Sequence, residues 1–287
     1  MYHLLAIITC VIWGSTFVST KILLATGLSP AMVFFLRFTL AYCVMLAFCH
    51  KRMWCDSLRD ELLMLAVGVA GGSLFFYAEN TALLYTQSGN VSFLTALPPL
   101  FLVIYGVLRP RGYRATWKVW TGAVLALLGI YFVSYGSDTN PATSPNPFLG
   151  NTIALLSSIL WAAYQLIATP LAERYGTRLV TRKLFGYGVL TITPFIITEL
   201  PGTIEPLSNL TVLFNLLFLG LIASLFCYFA WSVVMERIGA IPSANYLYIN
   251  PVVTCIASYI FLGEQVSVPM MLGGLCIIAG VYISLKK

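Results

Sequence analysis

The sequence predicts an all-α membrane protein in which ten transmembrane helices form two inverted five-helix repeats. Three observations carry that expectation: a composition too apolar for a water-soluble fold, ten apolar runs whose connections alternate in positive charge, and a likeness between the two halves at a constant spacing. Of the 287 residues, 59% are hydrophobic and 9% charged, against roughly 45–50% and about 25% in a soluble domain. Sixteen Lys and Arg with ten Asp and Glu are too few to coat a soluble body of this length. The net charge of +6 does not imply nucleic acid, because the basic residues sit in short clusters between apolar runs and no basic domain or RNA-binding signature accompanies them. Seven cysteines occur, all but Cys55 within apolar runs and none at metal-ligand spacing. No disulfide framework, metal or cofactor is expected.

A helix needs about 20 apolar residues to cross the hydrocarbon core. Read by that length, the spans fall at about 3–24, 32–50, 62–83, 89–108, 117–135, 150–171, 183–199, 210–232, 241–262 and 268–285. The first has no basic region before it and no small-residue cleavage site after it, so it is expected to remain in the mature protein. Lys51, Arg52 and Arg59 follow helix two; Arg109, Arg111, Arg114 and Lys118 follow helix four. Arg174, Arg178, Arg182 and Lys183 follow helix six, Arg237 follows helix eight, and Lys286 and Lys287 end the chain. The connections after helices one, three, five, seven and nine hold no Lys or Arg. Fourteen of the sixteen basic residues thus lie on one side, which the positive-inside rule makes cytoplasmic, together with both termini.

The halves resemble each other. "AIITCVIW" at Ala6–Trp13 matches "ALLSSILW" at Ala154–Trp161, and "GAVLALLGIYFVS" at Gly122–Ser134 matches "GGLCIIAGVYIS" at Gly273–Ser284. Their offsets are 148 and 151 residues, and Pro99 with Pro251 gives 152. The expected units are 1–136 and 148–287, joined by a polar, Pro-rich linker at 137–147. An odd number of helices per unit forces the second to lie inverted relative to the first. Inverted repeats enclosing a midplane site are a signature of secondary transporters. Pro98 and Pro99 in helix four and Pro251 in helix nine are expected to kink their helices at matching depths.

The motifs "WGSTF" at Trp13–Phe17, "FLRF" at Phe35–Phe38, and the stretch from Asn250 to Ser284 with Leu262-Gly263-Glu264 make the chain resemble the EamA family of the drug/metabolite transporter superfamily. The resemblance covers both halves. It implies a central cavity lined mainly by helices one, three, four, six, eight and nine, and export of amino acids or related metabolites. Where many members carry a second Leu-Gly-Glu motif, the first half has "VLRPRGY" at Val107–Tyr113. Glu264, at the end of helix nine, is expected to be a structural carboxylate.

Ionisable groups inside apolar spans are costly and mark function. Lys21, Arg37 and Glu79 form a candidate charge cluster. Glu79 either exchanges a proton during transport or neutralises one of the two cations. Trp13 and Thr16 on helix one face Trp161, Tyr164 and Gln165 on helix six under the repeat, and helix eight adds Tyr228 and Trp231. Glu79 on helix three and Tyr246 and Asn250 on helix nine complete the candidate substrate-binding set, whose aromatic walls and few polar groups suit a small, partly apolar ligand. Helices five and ten, with Gly122, Gly129, Gly273 and Gly280, are expected to pack on each other.

No phosphate-binding loop or protease motif is present, so neither a pump nor an enzyme is expected. The expectation is a functional monomer in the inner or plasma membrane, working by alternating access on a small molecule, with protons as the candidate coupling ion. A multidrug exporter of lipophilic cations is the alternative.

Overall fold

The computed structural model describes residues 1–48, 53–108, 117–136, 144–197, 209–239, 242–243 and 245–285. Lys51, Arg52, Arg109, Arg111, Arg114, Lys286, Lys287 and most of the 137–147 linker lie outside the described residues. Among the described residues the chain is helical, in ten successive rods and without strands. They are α1 (Tyr2–Ala25), α2 (Pro30–Phe48), α3 (Leu58–Tyr85), α4 (Ser88–Leu108) and α5 (Trp117–Tyr135). The second half supplies α6 (Pro147–Tyr175), α7 (Thr177–Ile196), α8 (Leu210–Ile238), α9 (Asn245–Leu262) and α10 (Val268–Leu285).

Seven rods, α1 to α4, α6, α8 and α9, are long and apolar enough to cross a membrane. In α5 and α10 the apolar stretches are shorter, Trp120–Tyr135 and Val268–Gly280. The periphery is greasy: Leu127, Leu275 and Phe261 are all exposed, an arrangement suited to lipid and costly in water.

Several boundaries differ from those read from hydropathy. Helix α3 starts at Leu58, where the Ser57 side chain accepts from the Asp60 amide, an N-cap that hydropathy cannot register. Pro147, expected in the linker, is the first residue of α6, with the Asn146 side chain accepting from the Leu149 amide. That helix runs on to Tyr175, and Gly176, at φ +81°, turns the chain directly into α7. Arg178, Arg182 and Lys183 therefore lie in the first turns of α7, not in a connection. Arg182 and Lys183 are buried, but the charged first turns of α7 interrupt the apolar run and so read as connection.

Four rods are irregular, and the irregularities come in pairs. Helix α3 is wound as a π-helix over Val69–Ser73 and α8 over Phe218–Phe226, segments whose starts and ends are 149 and 153 residues apart. Helix α4 breaks between Thr95 and Pro98, and α9 begins as a 3₁₀ turn, Asn245–Tyr248, before continuing from Ile249. The prolines thus sit just after a break, Pro98 as the first residue of a new segment and Pro251 in its first turn, positions where a missing amide costs little.

Helices α5 and α10 form the most extensive helix pair. Their approach demands glycine: a Cβ on Gly273 would lie 2.6 Å from the Gly129 carbonyl, and one on Gly280 2.5 Å from that of Gly122. Gly14 does the same for α1 and α9, where a Cβ would meet Val253 Cβ at 2.7 Å and the Asn250 carbonyl at 2.8 Å. Contacts assign the helix ends. The end of α1, the start of α4 and the end of α9 meet through Lys21, Ser88 and Glu264. At the opposite end, the start of α3 meets the end of α6 and the start of α7 through Asp60, Tyr175, Glu61 and Lys183.

Candidate functional site

Between these two ends lies a cavity of about 40 Å³, room for a few water molecules. Its lining comes from α1 (Trp13, Thr16, Phe17), α2 (Arg37), α3 (Phe75, Phe76, Glu79) and α4 (Thr95) in the first half. The second half contributes Trp161 from α6, Tyr228 from α8, and Leu247 and Asn250 from α9. All four irregular helices contribute, and the irregularities shape the site. A π turn frees backbone carbonyls that must find donors elsewhere. Trp13 Nε1–H donates to the Ala223 carbonyl of the α8 π segment at 3.0 Å, and the Tyr228 hydroxyl donates to the Gly71 carbonyl of the α3 π segment at 2.9 Å. Each half thus supplies a side chain that satisfies the bulge of the other. Glycine at 71 is required, since a Cβ there would lie 2.4 Å from the Tyr164 ring.

The aromatic wall is continuous. Trp13 and Trp161 meet edge to face at 5.6 Å between centroids, and both rings lie 5.7 Å from Tyr228. Phe75 closes on Trp161 at 4.9 Å. Beneath this wall the polar groups are incompletely satisfied. Arg37 donates from Nε to Ser224 Oγ at 2.9 Å and lies 4.4 Å over the Phe76 ring, while its Nη1 is buried without a partner. Trp161 Nε1 and Asn250 Oδ1 are also buried without partners. Glu79 is buried, and among the described residues it takes part in no hydrogen bond or salt bridge.

Polar clusters lie at the two ends of the helices that line the cavity, and each joins the first half of the chain to the second. Lys21 Nζ lies 2.7 Å from Glu264 Oε1 and donates to the Thr86 carbonyl at 3.1 Å. The same carboxylate accepts from the Ser88 amide at 2.9 Å and its hydroxyl at 3.2 Å. Gly263, in the left-handed region at φ +67°, ends α9 and turns Glu264 toward them. At the other end, Glu61 accepts from Lys183, from the Tyr187 hydroxyl and, at 2.9 Å, from the Cys55 amide. Asp60 accepts from the Tyr175 hydroxyl and pairs with Arg174 at 2.7 Å. Burial and the Glu61 carboxylate push the Cys55 thiol up to about 11.

Residues 1–135 and 148–286 each match the EamA-like transporter family. The chain belongs to the EamA-like transporter family. Among its relatives, an uncharacterized transporter of Archaeoglobus fulgidus is 27% identical over 99% of this chain and 97% of its own length. A probable terminal-alkyne amino-acid exporter of Streptantibioticus cattleyicolor is 25% identical over 78% of this chain and 73% of its own. A solved crystal structure superposes with a TM-score of 0.63 at 17% identity, covering 98% of this chain and 96% of that one, which speaks for the fold alone. This EamA-like protein is therefore a multi-pass integral membrane transporter, not an enzyme.

Six of the residues expected at a substrate site line the transporter's cavity: Trp13, Thr16, Glu79, Trp161, Tyr228 and Asn250. Tyr164, Gln165 and Trp231 are buried behind that lining. Tyr164 packs on Trp161 at 4.9 Å, Trp231 on Trp13 at 5.2 Å, and Gln165 reaches Met235 Sδ at 3.9 Å. Tyr246 stands apart, its hydroxyl bonded to His3 Nδ1 near the start of α1, because the 3₁₀ turn rotates it off the face that carries Asn250. The expected charge cluster divides. Arg37 and Glu79 share the cavity, whereas Lys21 pairs with Glu264, a carboxylate distant in sequence and within reach only because α1 and α9 pack closely. Phe75, Phe76 and Thr95 also line the cavity, and their apolar helices offered no polar signal to reveal them.

Proposed function

We propose that this transporter exports amino acids or closely related small metabolites across the inner or plasma membrane by alternating access. The observation that carries the reading is the central cavity, where aromatic walls surround buried polar groups left without protein partners. Buried polar atoms are ordinarily hydrogen-bonded, so a set of unpaired donors and acceptors on one cavity is a place kept for a ligand. The relative named as an amino-acid exporter supports the same class. Lipophilic cations fit less well, because Arg37 would repel them.

In this reading ten membrane crossings form two inverted five-helix repeats, with α5 and α10 as scaffold. The paired π segments and paired helix breaks, at offsets close to those of the sequence repeat, support the duplication. The basic connections orient both termini to the cytoplasm. The Lys21–Glu264 cluster is then the outer closure and the Asp60–Glu61 cluster the inner one. With both engaged the cavity has room only for a few water molecules, so transport alternates their release. Glu79, which among the described residues makes no hydrogen bond or salt bridge, is the candidate proton carrier. The transporter is complete as a monomer, since its halves supply both sides of the cavity.

Uptake of a labelled amino-acid panel and of lipophilic cations into proteoliposomes, with and without an imposed pH gradient, tests the proposal. Saturable amino-acid uptake, with its gradient response lost in Glu79→Gln, is expected. Uptake of cations alone would overturn the substrate class, and an unchanged gradient response in Glu79→Gln would overturn the proton role.

A further inference from the structure

We infer that the cavity, widened when one end opens, seats a zwitterion in one orientation, its carboxylate on Arg37 and its ammonium on Glu79. The inference rests on the transport reading above and assigns the charges within it. Arg37 and Glu79 are 1% and 7% exposed, so each has lost most of its hydration. A buried structural ion pair offsets that loss by direct contact and by filling every remaining hydrogen-bonding position. These two do neither. No salt bridge joins them among the described residues, Arg37 Nη1 has no partner, and Glu79 accepts no hydrogen bond. Yet both line the same cavity.

What completes such a site is set by charge balance. A cation would satisfy Glu79 and leave Arg37 both unpaired and repelling it, and an organic anion would do the reverse. A molecule with a carboxylate and an ammonium a few atoms apart completes both at once. Arg37 is also held in place for the task. Its Nε is fixed by Ser224 Oγ and its guanidinium plane by the Phe76 ring, so the rigid donor fork is oriented before the ligand arrives.

A second donor arises from an asymmetry between the halves. Tyr228 and Phe76 are equivalent under an offset of 152 residues, as are Gly71 and Ala223. Phe76 has no hydroxyl, so the Ala223 carbonyl takes the indole of Trp13. Tyr228 has one and takes the Gly71 carbonyl, which leaves Trp161, the counterpart of Trp13, with a free Nε1–H. That indole joins Arg37 as a donor for the carboxylate, and the faces of Trp13, Phe17 and Phe75 remain for an apolar side chain. The substrate class is the apolar α-amino acids.

The test uses two ligand triads on purified wild-type protein: phenylalanine, phenethylamine and 3-phenylpropionate, and leucine, 3-methylbutylamine and 4-methylpentanoate. Binding is read by competition against the labelled amino acid. Each lost charge should weaken binding about tenfold or more, the range of one charge-assisted hydrogen bond. In Arg37→Gln, amino acid and amine should bind equally; in Glu79→Gln, amino acid and acid should. Should Arg37→Gln not fold, Ser224→Ala, which keeps the charge and frees the guanidinium, is expected to narrow the preference over the amine while leaving the preference over the acid unchanged. A wild type that binds the amine or the acid as tightly as the amino acid overturns the inference. So does Arg37→Gln or Ser224→Ala with the preference over the amine intact; amino-acid transport would survive as a reading in each case. Failure to bind or take up any amino acid overturns both.

Discussion

Cutting the Lys21–Glu264 bridge is expected to open the outer end of the transporter. The two groups are 2.7 Å apart with side-chain exposures of 20% and 9%, and Lys21 also donates to the Thr86 carbonyl. An exposed ion pair is worth about 0–1 kcal/mol, and a hydrogen bond to a charged group about 1.5–3 kcal/mol. A pair this enclosed falls toward the second range, so Lys21→Met removes about 2 kcal/mol from the closed state. At 1.4 kcal/mol per tenfold, the closed-to-open ratio falls roughly 30-fold. Glu264 retains the Ser88 amide and hydroxyl as donors, so the variant loosens the end without leaving the carboxylate bare. The assay is a cysteine at Thr20, buried one turn beyond the cavity-lining Thr16, labelled by an impermeant maleimide added outside. The parent protein with Thr20 intact supplies the background. Labelling should rise about 30-fold in Lys21→Met. Labelling within about twofold of the unmutated pair would refute the assignment of this cluster as a closure.

Cys55 reports on the opposite end. With its thiol held at about 11 against about 8.5 for a free cysteine, its thiolate fraction at pH 8 is lower by roughly two hundredfold. Alkylation followed by mass spectrometry should therefore be slow and should climb as pH rises toward that value. Glu61→Gln should accelerate it only in part, because burial raises the thiol more than Glu61 does, and a free-cysteine rate in the native protein would contradict the packing around Cys55. Gly280→Leu should separate α5 from α10 and abolish a monodisperse, folded protein in detergent, since a Cβ there already lies 2.5 Å from a backbone carbonyl; a stable variant would show that the approach is looser. Tyr228→Phe strands the Gly71 carbonyl at a cost of about 1 kcal/mol, in line with hydrogen bonds between membrane helices. It should lower thermal stability and, by turning the Trp161 indole to the freed carbonyl, weaken amino-acid binding; unchanged binding would count against a free Trp161 donor.

Much of this architecture was legible in the sequence, because long apolar runs and basic connections are enforced by the bilayer itself. The likeness between the halves, carried by Trp13 with Trp161 and Gly122 with Gly273, goes with a match of residues 1–135 and 148–286 to the same family. The glycines predicted the α5–α10 contact, since only small residues let backbones approach that closely. The π segments were invisible. Val69–Ser73 and Phe218–Phe226 read as unbroken apolar helix, and a changed hydrogen-bond register leaves no mark on hydropathy. Those segments decide which of Trp13, Trp161 and Tyr228 are spoken for, so the candidate site could be populated from sequence but not wired. The split of the charge cluster was hidden likewise. The sequence offers Glu79 as a neutralising partner for either Lys21 or Arg37, whereas the carboxylate beside Lys21 is Glu264, 243 residues away. Buried cations at Arg182 and Lys183 escaped notice because a charge near a helix start reads as a connection until its carboxylate partner, Glu61, is placed beside it.

A side chain that fills the cavity between Arg37 and Glu79 should block the passage of an amino acid. Thr95 lines the space and donates only to the carbonyl of Ser92, three residues back. Thr95→Phe puts a ring into a void of about 40 Å³. The measurement is counterflow of the labelled amino acid that wild-type proteoliposomes accumulate best. The account predicts exchange in the wild type and none in Thr95→Phe at equal reconstituted, monodisperse protein. Exchange at the wild-type rate in the filled variant would place the transport path elsewhere in the molecule.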